Sequence, residues 1–140
     1  LCIDTENPAR RFTTFDELVS AYYEQASALV EGGVDILLAE TSFDTLVLKA
    51  CLFALEKYFE DTGRRVPVMV SGTIFENGRT LSAQGPEAFY VSISHFDALT
   101  VGLNCAVGVD QMRPAVEALH QVSRSRICIY PNAGLPDCFG

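Results

Sequence analysis

Residues 34–40 read "VDILLAE", and this stretch decides the fold. Val34, Ile36, Leu37, Leu38 and Ala39 put apolar groups on both faces of a short extended run. Strands covered on both sides have this character, and they are mostly parallel ones. Three later runs share it: "VPVMVSG" at 66–72, "DALTVGLN" at 97–104 and "RICIYPNAG" at 126–134. Their apolar starts fall near 34, 66, 98 and 126, at intervals of 32, 32 and 28 residues. That is the length of a βα unit.

The segments between them read as helices. Residues 1–13 form an irregular polar lead-in containing Pro8. Thr14 then opens "TFDE", a capping box in which the hydroxyl accepts from an amide one turn in and Glu17 reaches back. Phe15, Leu18, Val19, Tyr22, Ala26, Leu29 and Val30 recur at helical spacing up to Gly32 and Gly33. Thr41, Ser42 and Asp44 begin a second helix, which runs to about Asp61 and is closed by Gly63. Residues 72–85 form a long loop with turn chemistry at Asn77-Gly78. Pro86 suits the first turn of a third helix, "PEAFYVSISH". A fourth runs from about Asp110 to Ser123, with Met112, Ala115, Val116, Leu119 and Val122 on one face.

Helices alternating with buried strands predict an α/β fold with a parallel sheet and right-handed crossovers. No composition shift divides residues 1–140. Two architectures satisfy the order: a flavodoxin-like open sheet of about this length, or about half of a (β/α)8 TIM barrel, which needs roughly 250 residues. Periodicity alone leaves both open.

The chain of 140 residues is 49% hydrophobic and carries a formal net charge of −8. Its isoelectric point is near 4.6. No basic patch stands out, which argues against nucleic acid or an anionic membrane as partner. The longest apolar stretches fall far short of the ~20 residues of a membrane span. An acidic cytoplasmic protein is expected. The start at Leu1 and the end at "PDCFG" suggest a piece of something longer. Cys2, Cys51, Cys105, Cys128 and Cys138 are odd in number and have no C-x-x-C spacing. Reduced thiols are therefore expected, not a disulfide framework or a local zinc finger.

In either architecture, ligands bind at the carboxyl ends of the strands. Those ends carry Glu40, Thr41 and Ser42; Ser71, Gly72 and Thr73; Asn104 and Cys105; and Pro131, Asn132 and Gly134. The opposite ends carry ordinary connections. Glu40, directly after "ILLA", is expected near the core boundary, where an unpaired charge is costly. It wants a ligand ammonium, a metal, or an Arg or Lys; otherwise it is an acid at a helix N-terminus. Cys105 reads as a small buried hydrophobe, a nucleophile or a metal ligand. Cys51 and Cys128 read as packing residues, and His95 and His120 as solvated residues late in helices. No phosphate-cradling glycine loop is present.

Taken in order, "DILLAETSFDTLVLKA", "VMVSGTIFENGRTLSAQ", "ALTVGLNCAVG" and "YPNAGLPDCFG" resemble the homocysteine-binding barrel of cobalamin-dependent methionine synthase. The likeness runs from about Thr14 to Gly140. "GLNC" is shared with betaine-dependent and other homocysteine methyltransferases, whereas "SGT", "GRTLS" and "PNAGLP" tilt toward the cobalamin enzyme. The resemblance implies homocysteine as substrate and a barrel of which this chain is the middle-to-late part. It implies zinc with Cys105 as a ligand, Glu40 on the substrate amino group, and Thr41, Ser71, Thr73 and Asn104 in the pocket. The family's other two zinc cysteines lie in a "GGCCGT"-type motif that these residues lack. Cobalamin and folate would be bound by other domains. The chain alone is accordingly expected to hold no zinc in the family manner, to transfer no methyl group, and to self-associate through its open sheet edges. A complete flavodoxin-like binding module is the rival reading.

Overall fold

A computed structural model describes residues 6, 7, 10 and 12–133. Cys2, Pro8, Gly134 and Cys138 lie outside them, as does most of "PNAGLPDCFG". Eight elements alternate: α1 (Phe15–Glu31), β1 (Leu37–Ser42), α2 (Thr45–Thr62), β2 (Val68–Gly72), α3 (Pro86–Ile93), β3 (Thr100–Gly108), α4 (Val109–Val122) and β4 (Arg126–Asn132).

Local chemistry sets the helix ends. Thr14 Oγ1 accepts from the Glu17 amide at 3.2 Å, and Glu17 Oε2 accepts from the Thr14 amide at 2.8 Å, which completes the capping box. Asp44 caps α2 by accepting from the Leu46 amide at 2.9 Å. Gly33 and Gly63 take φ of 93° and 67° just past the ends of α1 and α2, a region open to glycine without a Cβ clash.

All four strands are parallel and their spatial order is β1-β2-β3-β4. This order excludes the flavodoxin-like reading, in which the strand order reverses at a switch point and helices cover both faces. Successive right-handed crossovers between neighbours put every helix on one face and curve the sheet as in half of a (β/α)8 barrel. Burial follows. Leu37, Val68, Val70, Val101 and Leu103 are buried on the outer face with Leu48, Leu52, Phe89, Ile93, Met112 and Leu119 of the helices. The register places Leu38, Met69, Thr100 and Arg126 together on the inner face. There Leu38 is 42% exposed and Arg126 is also exposed.

This corrects the reading of "VDILLAE" as covered on both sides. The strand has two apolar faces, but helices cover only one of them. It also begins at Leu37, three residues later than its apolar run. The third strand extends past Asn104 to Gly108, and the third helix stops at Ile93. On α1, Ala26 and Val30 are buried, whereas Leu29 of the same apolar stripe is exposed.

Candidate functional site at the strand carboxyl ends

Two bulges shape the carboxyl ends of the strands. From Ala39 to Ser42, β1 takes three steps while β2 takes two, from Val70 to Gly72, so one residue is extra. From Asn104 to Gly108, β3 takes four steps while β4 takes two, from Tyr130 to Asn132, so two are extra. The extra residues are held in left-handed conformations: Thr41 has φ 57°, Cys105 58° and Ala106 61°. Such conformations are costly for residues with a Cβ, above all a β-branched threonine. They persist where surrounding structure over-determines them, and they cluster at functional sites.

Asn104 supplies the surrounding structure. Its side chain is buried, and its carbonyl oxygen accepts from Ser71 Oγ at 2.6 Å and from the Thr41 amide at 3.3 Å. Its Nδ2 donates to Thr41 Oγ1 at 2.9 Å and to Cys105 Sγ at 3.0 Å. One amide thus joins β1, β2 and β3 at the mouth and touches two of the three strained positions, Thr41 and Cys105. The Thr73 amide donates to the Ser42 carbonyl at 3.0 Å, a second link between the first two strand ends. Thr73 Oγ1 is buried without a hydrogen-bond partner among the described residues.

Thr41, Ser71, Asn104 and Cys105 therefore converge. Cys105 does not serve as a buried hydrophobe: its thiol-bearing residue is exposed at the rim. Glu40 is exposed as well, which corrects the expectation of a carboxylate at the core boundary. Like Leu38 two residues earlier it is uncovered, and among the described residues no ion pair is formed by it. Residues 73–85 are laced onto the start of α2. Thr45 Oγ1 donates to Gln84 Oε1 at 2.8 Å, and Ser82 Oγ to the Phe43 carbonyl at 3.3 Å.

Tyr130 escaped the sequence reading. It pairs in register with Asn104 and is exposed on the inner face. The Cys128 thiol donates to its hydroxyl at 3.3 Å. Cys128, burial and the Glu40 carboxylate together raise its phenol above the ordinary value, Cys128 contributing most. The signal lay in "IYPN", a polar-tipped aromatic at a strand end. Cys51 is a packing residue; burial pushes its thiol up to about 11. His95 and His120 are exposed and remote from the mouth in sequence order.

A groove of about 680 Å³ runs beside β1, lined by Leu18, Tyr22 and Leu29 of α1, by Leu38, and at its upper end by Glu40 and Thr41. It does not include Ser71, Asn104 or Cys105. The groove therefore adjoins the hydrogen-bonded cluster without coinciding with it. No helix among the described residues is long and apolar enough to cross a membrane.

Residues 2–140 match the family model for homocysteine S-methyltransferase. The fold is also similar to the apo crystal structure of the homocysteine methyltransferase MmuM from Escherichia coli. That likeness has a TM-score of 0.76 at 19% identity and covers 91% of this chain and 47% of that one. The chain thus spans about half the length of the solved structure it matches.

Proposed function

Because the chain belongs to the homocysteine S-methyltransferase family, we propose that its strand ends form part of a site that holds homocysteine and presents its sulfur for methylation. The observation that carries this reading is the Asn104 amide, which gathers Thr41, Ser71 and Cys105 at one mouth.

The chemistry asks for a group that fixes an amino acid and a polar wall beside its sulfur. Glu40, exposed at that mouth, offers a carboxylate to the substrate ammonium. Ser71 and Asn104 bond to each other and so hold the shape of the pocket wall. Thr73 Oγ1 is a buried hydroxyl still lacking a partner among the described residues, and it is available to a ligand.

Methylation needs the thiolate of homocysteine, and a free thiol of pKa ~8.5 is mostly protonated at neutral pH. The resemblance answers this with zinc at Cys105. Among the described residues no three His, Cys, Asp or Glu side chains gather into a set that could hold a metal ion. The described residues offer Cys105 as a single sulfur ligand and do not by themselves make a tetrahedral site. Further ligands for zinc would come from outside them. Methylcobalamin, carried by another domain, is the methyl donor favoured by the "SGT", "GRTLS" and "PNAGLP" motifs. Betaine or another donor is the alternative within the same family.

Amide NMR of the ¹⁵N-labelled chain, titrated with homocysteine and with homoserine, tests the site. Shifts at Glu40, Thr41, Thr73 and Cys105 that are stronger for homocysteine are expected. Glu40→Gln should weaken binding about tenfold, the loss of one charge-assisted pair. Shifts confined to the amino ends of the strands, or binding indifferent to Glu40, would overturn the reading.

A further inference from the structure

Tyr130 takes its place at the mouth from strand register. It pairs with Asn104, and two residues earlier Cys128 pairs with Gly102. Residues two apart on a strand share a face, so Cys128 and Tyr130 lie on the inner face with Gly102 and Asn104. The pairing of β3 with β4 sets that placement, and it holds whatever lies beyond the sheet. The Cys128 thiol donates to the Tyr130 hydroxyl at 3.3 Å, which draws the phenol back along β4 toward the layer that Cys128 shares with Gly102. A phenol oxygen that accepts still has its own proton to give, and among the described residues no acceptor takes it. β1 and β4 are the outer strands of four, about 14 Å apart if the sheet were flat. Yet the Glu40 carboxylate at the end of β1 is near enough to help hold the proton on the Tyr130 phenol. The two groups therefore face each other across the concave side of a curved sheet.

We propose that Tyr130 is a specificity-determining residue of this site: its hydroxyl donates to the α-carboxylate of the amino acid whose ammonium pairs with Glu40. The inference rests on the homocysteine reading and names the group that recognises the other end of the zwitterion. An amino acid carries both charges on one carbon, so a carboxylate on one wall and a proton donor on the facing wall read them together. A neutral donor suits the second wall. A lysine or arginine there would pair with Glu40 directly and close the site before a ligand arrived. A phenol that keeps its proton does neither harm: it has no charge to satisfy Glu40 and none to repel the ligand carboxylate. Cys128 supports the role by holding the phenol oxygen from below while leaving its proton free.

Isothermal titration calorimetry of the intact protein tests it, with homocysteine and with 3-aminopropanethiol, the same thiol and amine without the carboxylate. The parent protein should prefer homocysteine. Tyr130→Phe keeps the ring and removes the donor. It should weaken homocysteine about tenfold, the loss of one charge-assisted bond, and leave 3-aminopropanethiol within about twofold of the parent. Retained binding of 3-aminopropanethiol also shows that the variant is folded. Cys128→Ala, which frees the phenol without removing it, should weaken homocysteine less. A Tyr130→Phe variant that loses both ligands alike, or neither, overturns the inference and leaves the homocysteine reading standing. So does a parent protein that binds the two ligands equally. A parent protein that binds neither ligand overturns the homocysteine reading and the inference with it.

Discussion

Ser71 Oγ donates to Asn104 Oδ1 at 2.6 Å, deep at the carboxyl ends of β2 and β3, with both residues buried. The pair is the anchor from which the same amide reaches Thr41 and Cys105. Its position explains why left-handed Thr41 and Cys105 survive at the ends of β1 and β3, on either side of β2: each is hydrogen-bonded to one rigid, buried group.

Replacing Asn104 with Leu should therefore destabilise the fold beyond the loss of one contact. Ser71 Oγ would be left buried without a partner, at about 1–3 kcal/mol, and the Thr41 amide would lose its part-buried bond at a smaller cost. Urea denaturation should show a total loss of about 2–4 kcal/mol, within the range for broken buried networks. Ser71→Ala, which removes one donor only, should cost less. Equal losses for the two variants would count against Asn104 as the common tie.

Gly102 tolerates no side chain. A Cβ there would come within 1.4 Å of the Cys128 carbonyl oxygen on the adjacent strand. Gly102→Ala should force β3 and β4 apart, with destabilisation of several kcal/mol or failure to fold. Gly72→Ala, which meets the Phe89 ring at 2.7 Å, should be milder because a side chain yields more easily than a backbone. Thermal melts of the two variants check the ranking.

Ala83 holds φ 64° in the loop after β2, exposed and away from the Asn104 cluster. Ala83→Gly should raise stability by about 0.5–1 kcal/mol by relieving the left-handed strain of an alanine. Thr41→Gly relieves similar strain but deletes the hydroxyl bonded to Asn104. It should yield no such gain. A parallel pair of denaturation curves separates strain from function-linked bonding.

Cys51 should be chemically silent near neutral pH. Its folded thiol ionises at about 11, raised by burial, against ~8.5 for an unfolded cysteine. Its contribution to stability is full below the unfolded value and is lost as pH rises toward the folded one, because the unfolded chain ionises first. The stability difference between the parent chain and Cys51→Ala should accordingly shrink between about pH 8.5 and 11. Iodoacetamide at pH 8 should modify exposed Cys105 and spare Cys51, as read by peptide mass mapping.

Much of the fold was legible because local rules act on neighbouring residues. Thr14 and Glu17 form their capping box wherever the helix ends up. The 32-residue rhythm of buried runs marks βα units. Spacing could not tell a closed ring from an open doubly wound sheet, since both repeat strand and helix at that interval. The site was legible as a set of polar strand ends, because loops at those ends carry ligand groups in every parallel α/β fold. Tyr130 was missed because its side of the strand follows from register with Asn104, and register is a relation between chains of residues far apart in sequence.

The sequence by itself determined which segments are strands and helices, that the strands are parallel, and which polar residues stand at their carboxyl ends. Periodicity, caps and turn residues are local, and they write themselves into the order of amino acids. Only the tertiary structure decided that the strands lie in the order β1-β2-β3-β4 with one face bare. It alone revealed that two bulges turn Thr41 and Cys105 into left-handed conformations and that Asn104 ties them together. Those features depend on pairings across 33 and 63 residues of chain. Packing, not propensity, selects such pairings.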